Sequence, residues 1–271
     1  MSKPPKHHYI PQCYQRRFSA DRVFVKYLNK STGIHSSTPI DDFCQKENFY
    51  YLEHSSKHDY LETDFFAHNI EEKLGKLLTF FDSINGDNDN VPFNKDRKIK
   101  VAEQIVMQYM RTPQYREIKY ENETIAYLSQ LYVLLEKTGF EVEYLGFEGD
   151  KAEFHKRRLC DTQEIEKIIE SLVDAHWELL YAPNEEFYTS DNPIVIQERQ
   201  DMPVTYCDAI KFFDEIFFPL NPKLLLHIIA MPAVNKKYLT IHTIHQDRVT
   251  EINSIIQKKA QDYIIYKEKY Y

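Results

Sequence analysis

The sequence predicts an α+β fold, with an N-terminal hairpin, a helical middle, a mostly antiparallel sheet and a C-terminal helix. Three observations predict it. Apolar residues recur at helical spacing across residues 61–137. Across residues 177–230 the period shortens, and runs rich in aromatic and branched residues are separated by prolines. The breaks between those runs are too short for the crossover that parallel neighbours need, which favours antiparallel pairing. With 271 residues, 42% of them hydrophobic, the chain can bury a sizeable core. No Pro/Gly/Ser-rich linker and no internal repeat divides it, so residues 1–271 are expected to form a single compact domain.

Each element has a local reason. Residues 11–18 suit a short helix, and residues 22–28 alternate as a strand does. The turn chemistry of residues 29–33 returns the chain as a second strand over 34–37. Over residues 61–84, Phe65, Ile70, Leu74, Leu77, Leu78 and Phe81 fall near helical spacing, and the Asn/Asp/Gly run at 85–90 ends the pattern. A second helix over 94–111 stops at Thr112-Pro113, and a third over 114–137 is closed by Gly139. Asp161-Thr162-Gln163-Glu164 resembles a capping box and opens a fourth helix, to about residue 175. Strands are expected over 177–181, 187–189, 194–197, 216–218 and 223–230, and an amphipathic helix over 248–266.

Composition excludes several classes. No apolar run approaches the ~20 residues of a membrane helix, and Met1–His8 has no apolar stretch behind its lysines, so neither a spanning segment nor a secretory signal is expected. Six glycines form neither G-x-G-x-x-G nor a P-loop. Cys13, Cys44, Cys160 and Cys207 are too scattered for a zinc site or a disulfide framework, which points to free thiols in the cytoplasm. The net charge of −8 is unevenly spread. Residues 1–30 and 95–119 are basic, and 41–90 and 121–215 are acidic. A basic face fit for nucleic acid requires the two basic blocks to meet.

The densest polar cluster is His7-His8-Tyr9-Ile10-Pro11-Gln12, followed by Arg16-Arg17. Imidazoles titrate near neutral pH and serve as bases or metal ligands, and guanidinium groups grip phosphate through paired N–H donors. The run from Lys6 to Phe18 resembles the opening of the domain-of-unknown-function family 4238, a mostly prokaryotic group. The resemblance continues through Asn48-Phe49-Tyr50, the Glu62 and Glu71 segment, Gln108-Tyr109-Met110-Arg111-Thr112-Pro113, Ser190-Asp191-Asn192-Pro193 and Phe218-Pro219-Leu220-Asn221-Pro222. It departs from the family pattern at Cys13 and Gln15, where larger apolar residues are expected. It implies a fold and a shared polar site, and no particular activity. His-His-x-x-Pro is also similar to the start of the first motif of His-Me finger nucleases. The returning helix of those enzymes has no counterpart, because Asn48, His54 and His58 lie in a loop-like stretch.

Spacing assembles a candidate site. Gln104, Gln108 and Arg111 share one helix face, with Arg111 at the C-terminal end where a cation is favoured. Glu62 and Glu71 are nine apart, about two and a half α-helical turns, and should face different ways. Asp191 either caps a turn or projects into a cleft. The leading reading is a metal-dependent phosphodiester hydrolase, nuclease-like and of the kind found in a prokaryotic defence or toxin system. In it His8, Arg16 and Arg111 are catalytic, Gln12, Gln108 and Arg17 contact substrate, and His7 with Asp191 holds a divalent metal ion. The partner would be nucleic acid or a nucleotide, and no membrane. The acidic block containing Asp191 is expected to supply the acids that let the basic N-terminus be buried. The alternative is a non-catalytic ligand-sensing or partner-binding module built on the same groups. Catalysis requires the histidines near Asp191 and open to solvent, whereas a bracing network would bury them fully paired.

Overall fold

The computed structural model describes residues 4–53, 55–86, 90–138, 151–199, 206–233, 237–268 and 270. Its N-terminal part holds β1 (Lys6–His8), α1 (Gln12–Gln15), β2 (Phe24–Asn29), β3 (Ile34–Pro39) and β4 (Gln45–Glu47). The helical middle consists of a π-helical segment (Leu61–Glu71), α2 (Glu72–Asp82), α3 (Lys95–Met110), α4 (Pro113–Glu136), α5 (Lys151–Leu159) and α6 (Thr162–Asp174). One three-residue strand, β5 (Asn90–Pro92), interrupts it. There follow β6 (Ala175–Tyr181), β7 (Thr189–Ser190), β8 (Val195–Glu198), β9 (Phe213–Asn221), β10 (Leu224–Pro232), β11 (Tyr238–Thr243), α7 (Gln246–Lys259) and β12 (Tyr263–Tyr266). The α+β class is therefore observed.

The helix starts are set by side-chain caps. Asn94, Thr112 and Asp161 each accept a hydrogen bond from the amide three residues on, at Arg97, Tyr115 and Glu164. Pro113 at the first position of α4 costs no hydrogen bond, because that amide has no partner within the helix. Gly139 and His54 lie outside the described residues.

A six-stranded sheet runs in the order β5-β11-β6-β10-β9-β8, and a four-stranded one in the order β3-β2-β12-β7. Every pairing in them is antiparallel except β11 with β6. The central strands of the larger sheet are apolar on both faces. Leu179, Ile216, Phe218, Leu224, Leu226 and Ile228 join one core, and Leu180, Phe217 and Leu225 join a second beneath Val249, Ile252 and Ile256 of α7. Successive strand residues point to opposite faces, so a sheet covered on both sides reads as an unbroken apolar run. His227 is the polar exception in β10. Its ring nitrogens lie 2.9 Å from Glu178 and 3.0 Å from Glu215, and it stacks on Phe217, so its burial leaves no polar atom unpaired.

Two local readings change. The C-terminal helix ends at Lys259, and residues 263–266 are strand β12, paired with β2 and β7. Phe187 lies outside a strand and β7 begins at Thr189. Among the described residues no helix is long and apolar enough to cross a membrane.

Candidate functional site

The histidine pair is tied into the fold. β1 pairs antiparallel with β4, and the Tyr9 amide donates to the Cys44 carbonyl at 3.1 Å. Cys44 and Asn48, which bracket β4, have left-handed backbone (φ 51° and 53°) and turn the short strand back along β1.

His7 is buried. The Tyr50 amide donates to its Nδ1 at 2.8 Å, so Nε2 carries the proton and faces the Asp59 carboxylate at 3.2 Å. Burial lowers its pKa below 6.5, and Asp59 opposes that shift. With both nitrogens engaged and the ring stacked on Tyr50, His7 acts as a strut. His8 is arranged differently. Its amide donates to Glu62 Oε1 at 3.3 Å, its carbonyl accepts from Arg111 Nη2, and its ring Nε2 is buried without a partner among the described residues. Burial lowers the pKa of this imidazole too, against the carbonyls of Ile40 and Asp41 and the Glu71 carboxylate, so it is neutral at pH 7.

Arg111 is the centre of the site. It caps α3, and its guanidinium is wholly buried, 3.0 Å from Glu71 Oε1 and 4.2 Å over the Phe66 ring. Tyr50 Oη donates to its carbonyl at 2.9 Å. Its Nε and Nη1 have no partner among the described residues. Desolvation works against the charge, but Tyr50, Glu71 and Glu62 more than compensate and leave its pKa raised. Gln108, one turn back on the same helix face, donates to the Tyr9 carbonyl at 3.2 Å.

The glutamates were the least expected part. Counted as an α-helix, Glu62 and Glu71 diverge. The segment between them is π-helical, and its i→i+5 bonds put nearly one more residue into each turn than the α-helical 3.6. Nine residues then make close to two full turns, and both carboxylates reach the same neighbourhood: Glu62 against His8, Glu71 against Arg111. Burial raises the Glu62 pKa to about 7, with Arg111 opposing and Glu71 reinforcing the shift, and its Oε2 is buried without a partner. The Glu62 carboxyl thus keeps its proton toward pH 7, and it meets His8 at the backbone amide.

The shift has a measurable consequence. Folded Glu62 holds its proton more tightly than it would unfolded, where its pKa is near 4.5. Its contribution to stability is therefore full below about 4.5 and lost as pH rises through about 7. Glu62→Gln is expected to melt higher than the wild type at pH 8, with the gain shrinking toward pH 5; calorimetry at the two pH values checks it.

The remaining predicted residues divide. Arg16 and Gln12 are half-buried and bonded to each other at 2.7 Å, beside Cys13. The Cys13 thiol lies within the fields of Glu71, Arg17, Arg111 and Arg16, and burial pushes it up to about 11, so it is no thiolate nucleophile at neutral pH. Arg17 turns to the Cys13 carbonyl and to Asp82 of α2, 3.1 Å away. Gln15, which departs from the family pattern, is buried and donates to the carbonyls of Ile10 and Phe43.

Asp191 sits elsewhere. It is buried, and its carboxylate accepts the amides of Gln261, Asp262 and Tyr263 at 2.9, 2.6 and 3.2 Å, fixing the turn from α7 into β12. Burial raises its pKa to about 6 in spite of those donors. No hydrogen bond or ion pair among the described residues joins it to His7. The acids that meet the basic N-terminus come from the 41–90 block instead: Asp42 on Lys6, Asp59 on His7, Asp82 on Arg17. Among the described residues no group of three or more His, Cys, Asp and Glu side chains is placed to hold a metal ion. Asp191→Ala would remove the acceptor of three amides at the turn into β12, and a loss of about 2 kcal/mol in denaturant unfolding is expected.

The site thus joins β1, the π-helical segment and the end of α3, three stretches that carry the motifs His7-His8, Glu62/Glu71 and Gln108 to Arg111. The chain matches over residues 6–270 the family described as Protein of unknown function (DUF4238), and it belongs to that family. Comparison with curated proteins and with solved structures gives no match.

Proposed function

We propose that the protein hydrolyses phosphate esters of the nucleotide or nucleic-acid class, with His8 as general base, Glu62 as general acid and Arg111 as the charge-stabilising group. The observation that carries this reading is a set of buried polar atoms with no partner among the described residues, His8 Nε2, Glu62 Oε2, and Arg111 Nε and Nη1, on three residues tied together through the His8 backbone. In such a site neutral His8 takes a proton from water, whose oxygen attacks phosphorus. The ester P–O bond breaks, and the leaving oxygen takes the Glu62 proton. Arg111 supports the charge that gathers on the phosphoryl oxygens. Arg16, half-buried and held by Gln12, is the second cation near this neighbourhood. Cys13, Cys44 and Cys160 are free thiols, which fits a reducing cytoplasm.

One observation favours the second reading, a non-catalytic binding module: the atoms that would act are themselves buried. The test is hydrolysis of single-stranded DNA and RNA, cyclic and linear nucleotides and bis(p-nitrophenyl) phosphate, with Mg²⁺ or Mn²⁺ and in EDTA. Turnover of any of them that Glu62→Gln and His8→Ala each lower by about a hundredfold or more supports the hydrolase. No turnover in any condition overturns it and leaves the binding module.

A further inference from the structure

α2 and α3 are tied together by the Glu71–Arg111 pair and by the Arg97 guanidinium, 4.4 Å over the Phe80 ring. Between them lies a groove of about 730 Å³. Lys73, Lys76 and Leu77 line one wall, and Ile99, Lys100 and Gln104 line the other. Its size lies within the range of pockets that hold small organic ligands, roughly 300–1,000 Å³.

Two features make it more than a gap between helices. Gln104 is 2% exposed, lines the groove, and its Oε1 is buried with no donor in the protein. A buried amide oxygen of this kind calls for an N–H or O–H partner. Lys76 is paired with Glu72 at 2.6 Å, but no ion pair among the described residues joins Lys73 or Lys100 to an acid. Two ammonium groups without an ion pair among the described residues, Lys73 of α2 and Lys100 of α3, therefore line the groove together with Leu77, Ile99 and the carboxylates of Asp96 and Glu103.

We propose that this groove binds a nucleotide. Lys73 and Lys100 take its phosphate, Leu77 and Ile99 cover the base, and Gln104 Oε1 accepts from a base N–H or a ribose hydroxyl. A simple anion would leave the amide oxygen and the aliphatic walls unused, and an apolar ligand would leave the two ammonium groups unused. The proposal deepens the hydrolase reading and rests on it for direction. Gln104, Gln108 and Arg111 follow one another along one face of α3, so a nucleotide in the groove lies beside the acid–base site as the nucleoside part of the substrate.

Isothermal titration with AMP, GMP, CMP and UMP tests this without turnover, at low salt, with inorganic phosphate as the comparison. The wild type is expected to bind at least one nucleotide with Kd below about 1 mM, and inorganic phosphate at least tenfold more weakly. The double charge reversal Lys73→Glu/Lys100→Glu, on exposed side chains that folding does not need, should weaken the nucleotide at least tenfold. Gln104→Leu should weaken it several-fold without affecting inorganic phosphate. No binding of any of the four nucleotides overturns the proposal, and so does equal binding by the charge-reversed variant or equal affinity for inorganic phosphate. The two readings fail separately. Nucleotide binding lost in the groove variants, in a protein with no turnover, upholds the groove and overturns the hydrolase. Turnover with nucleotide affinity unchanged in the groove variants does the reverse.

Discussion

Replacing Arg111 with alanine is expected to cost about 3–5 kcal/mol of folding free energy, as when one partner of a buried ion pair is removed. The guanidinium is wholly buried, and two separate stretches depend on it: the π-helical segment, through Glu71 and the Phe66 ring, and β1, through the His8 carbonyl. Alanine would leave a cavity over Phe66 and a carboxylate without its cation. Glu71 is partly exposed and recovers some hydration, so Glu71→Gln alone should cost clearly less. In a double-mutant cycle read by denaturant unfolding, the two changes should be non-additive by about 1 kcal/mol or more. Additive losses would mean that the ion pair does not hold the π-helical segment to the end of α3.

The largest expected effect on activity is at His8. His8→Ala should lower hydrolysis by a factor of about 10² to 10⁴, the usual worth of a positioned general base, while the protein stays folded. The reason lies in what position 8 does for structure. Its bonds to Glu62 and Arg111 are made by its backbone N–H and carbonyl, which alanine keeps. His7→Ala is the contrast. There the ring itself bonds the Tyr50 amide and Asp59, so the loss should fall on stability. If His8→Ala instead unfolds the protein and activity falls only with the folded fraction, position 8 is a brace.

What could be read from the sequence was local. Asn94 and Asp161 cap the helices they are expected to start, Thr112, expected to end one helix, caps the next, and the 22–37 stretch forms its hairpin as β2 and β3. The face shared by Gln104, Gln108 and Arg111 follows from helical period alone, and that face reaches the histidine segment. What escaped was set by distant partners or by an unusual period. β1, β4 and β5 have three residues each, too few for an alternation to register. Residues 263–266 continue an amphipathic pattern, but the turn before them is imposed by Asp191, some seventy residues earlier. Glu62 was set apart from Glu71 because 3.6 residues per turn was assumed, and nothing in the composition of residues 61–71 announces a π-helix. The acid of the proposed pair was thus hidden by geometry, not by chemistry.

The pH dependence of kcat/KM for phosphate-ester hydrolysis tests the central claim most directly, since it reports the base and the acid of the free enzyme. With His8 shifted below 6.5 and Glu62 raised to about 7, the account requires a bell that rises on the acid side as His8 loses its proton and falls near pH 7 as Glu62 loses its own. In Glu62→Gln the residual activity should keep the rising limb and lose the falling one. A falling limb near pH 7 that survives in Glu62→Gln would contradict the assignment of Glu62 as the acid.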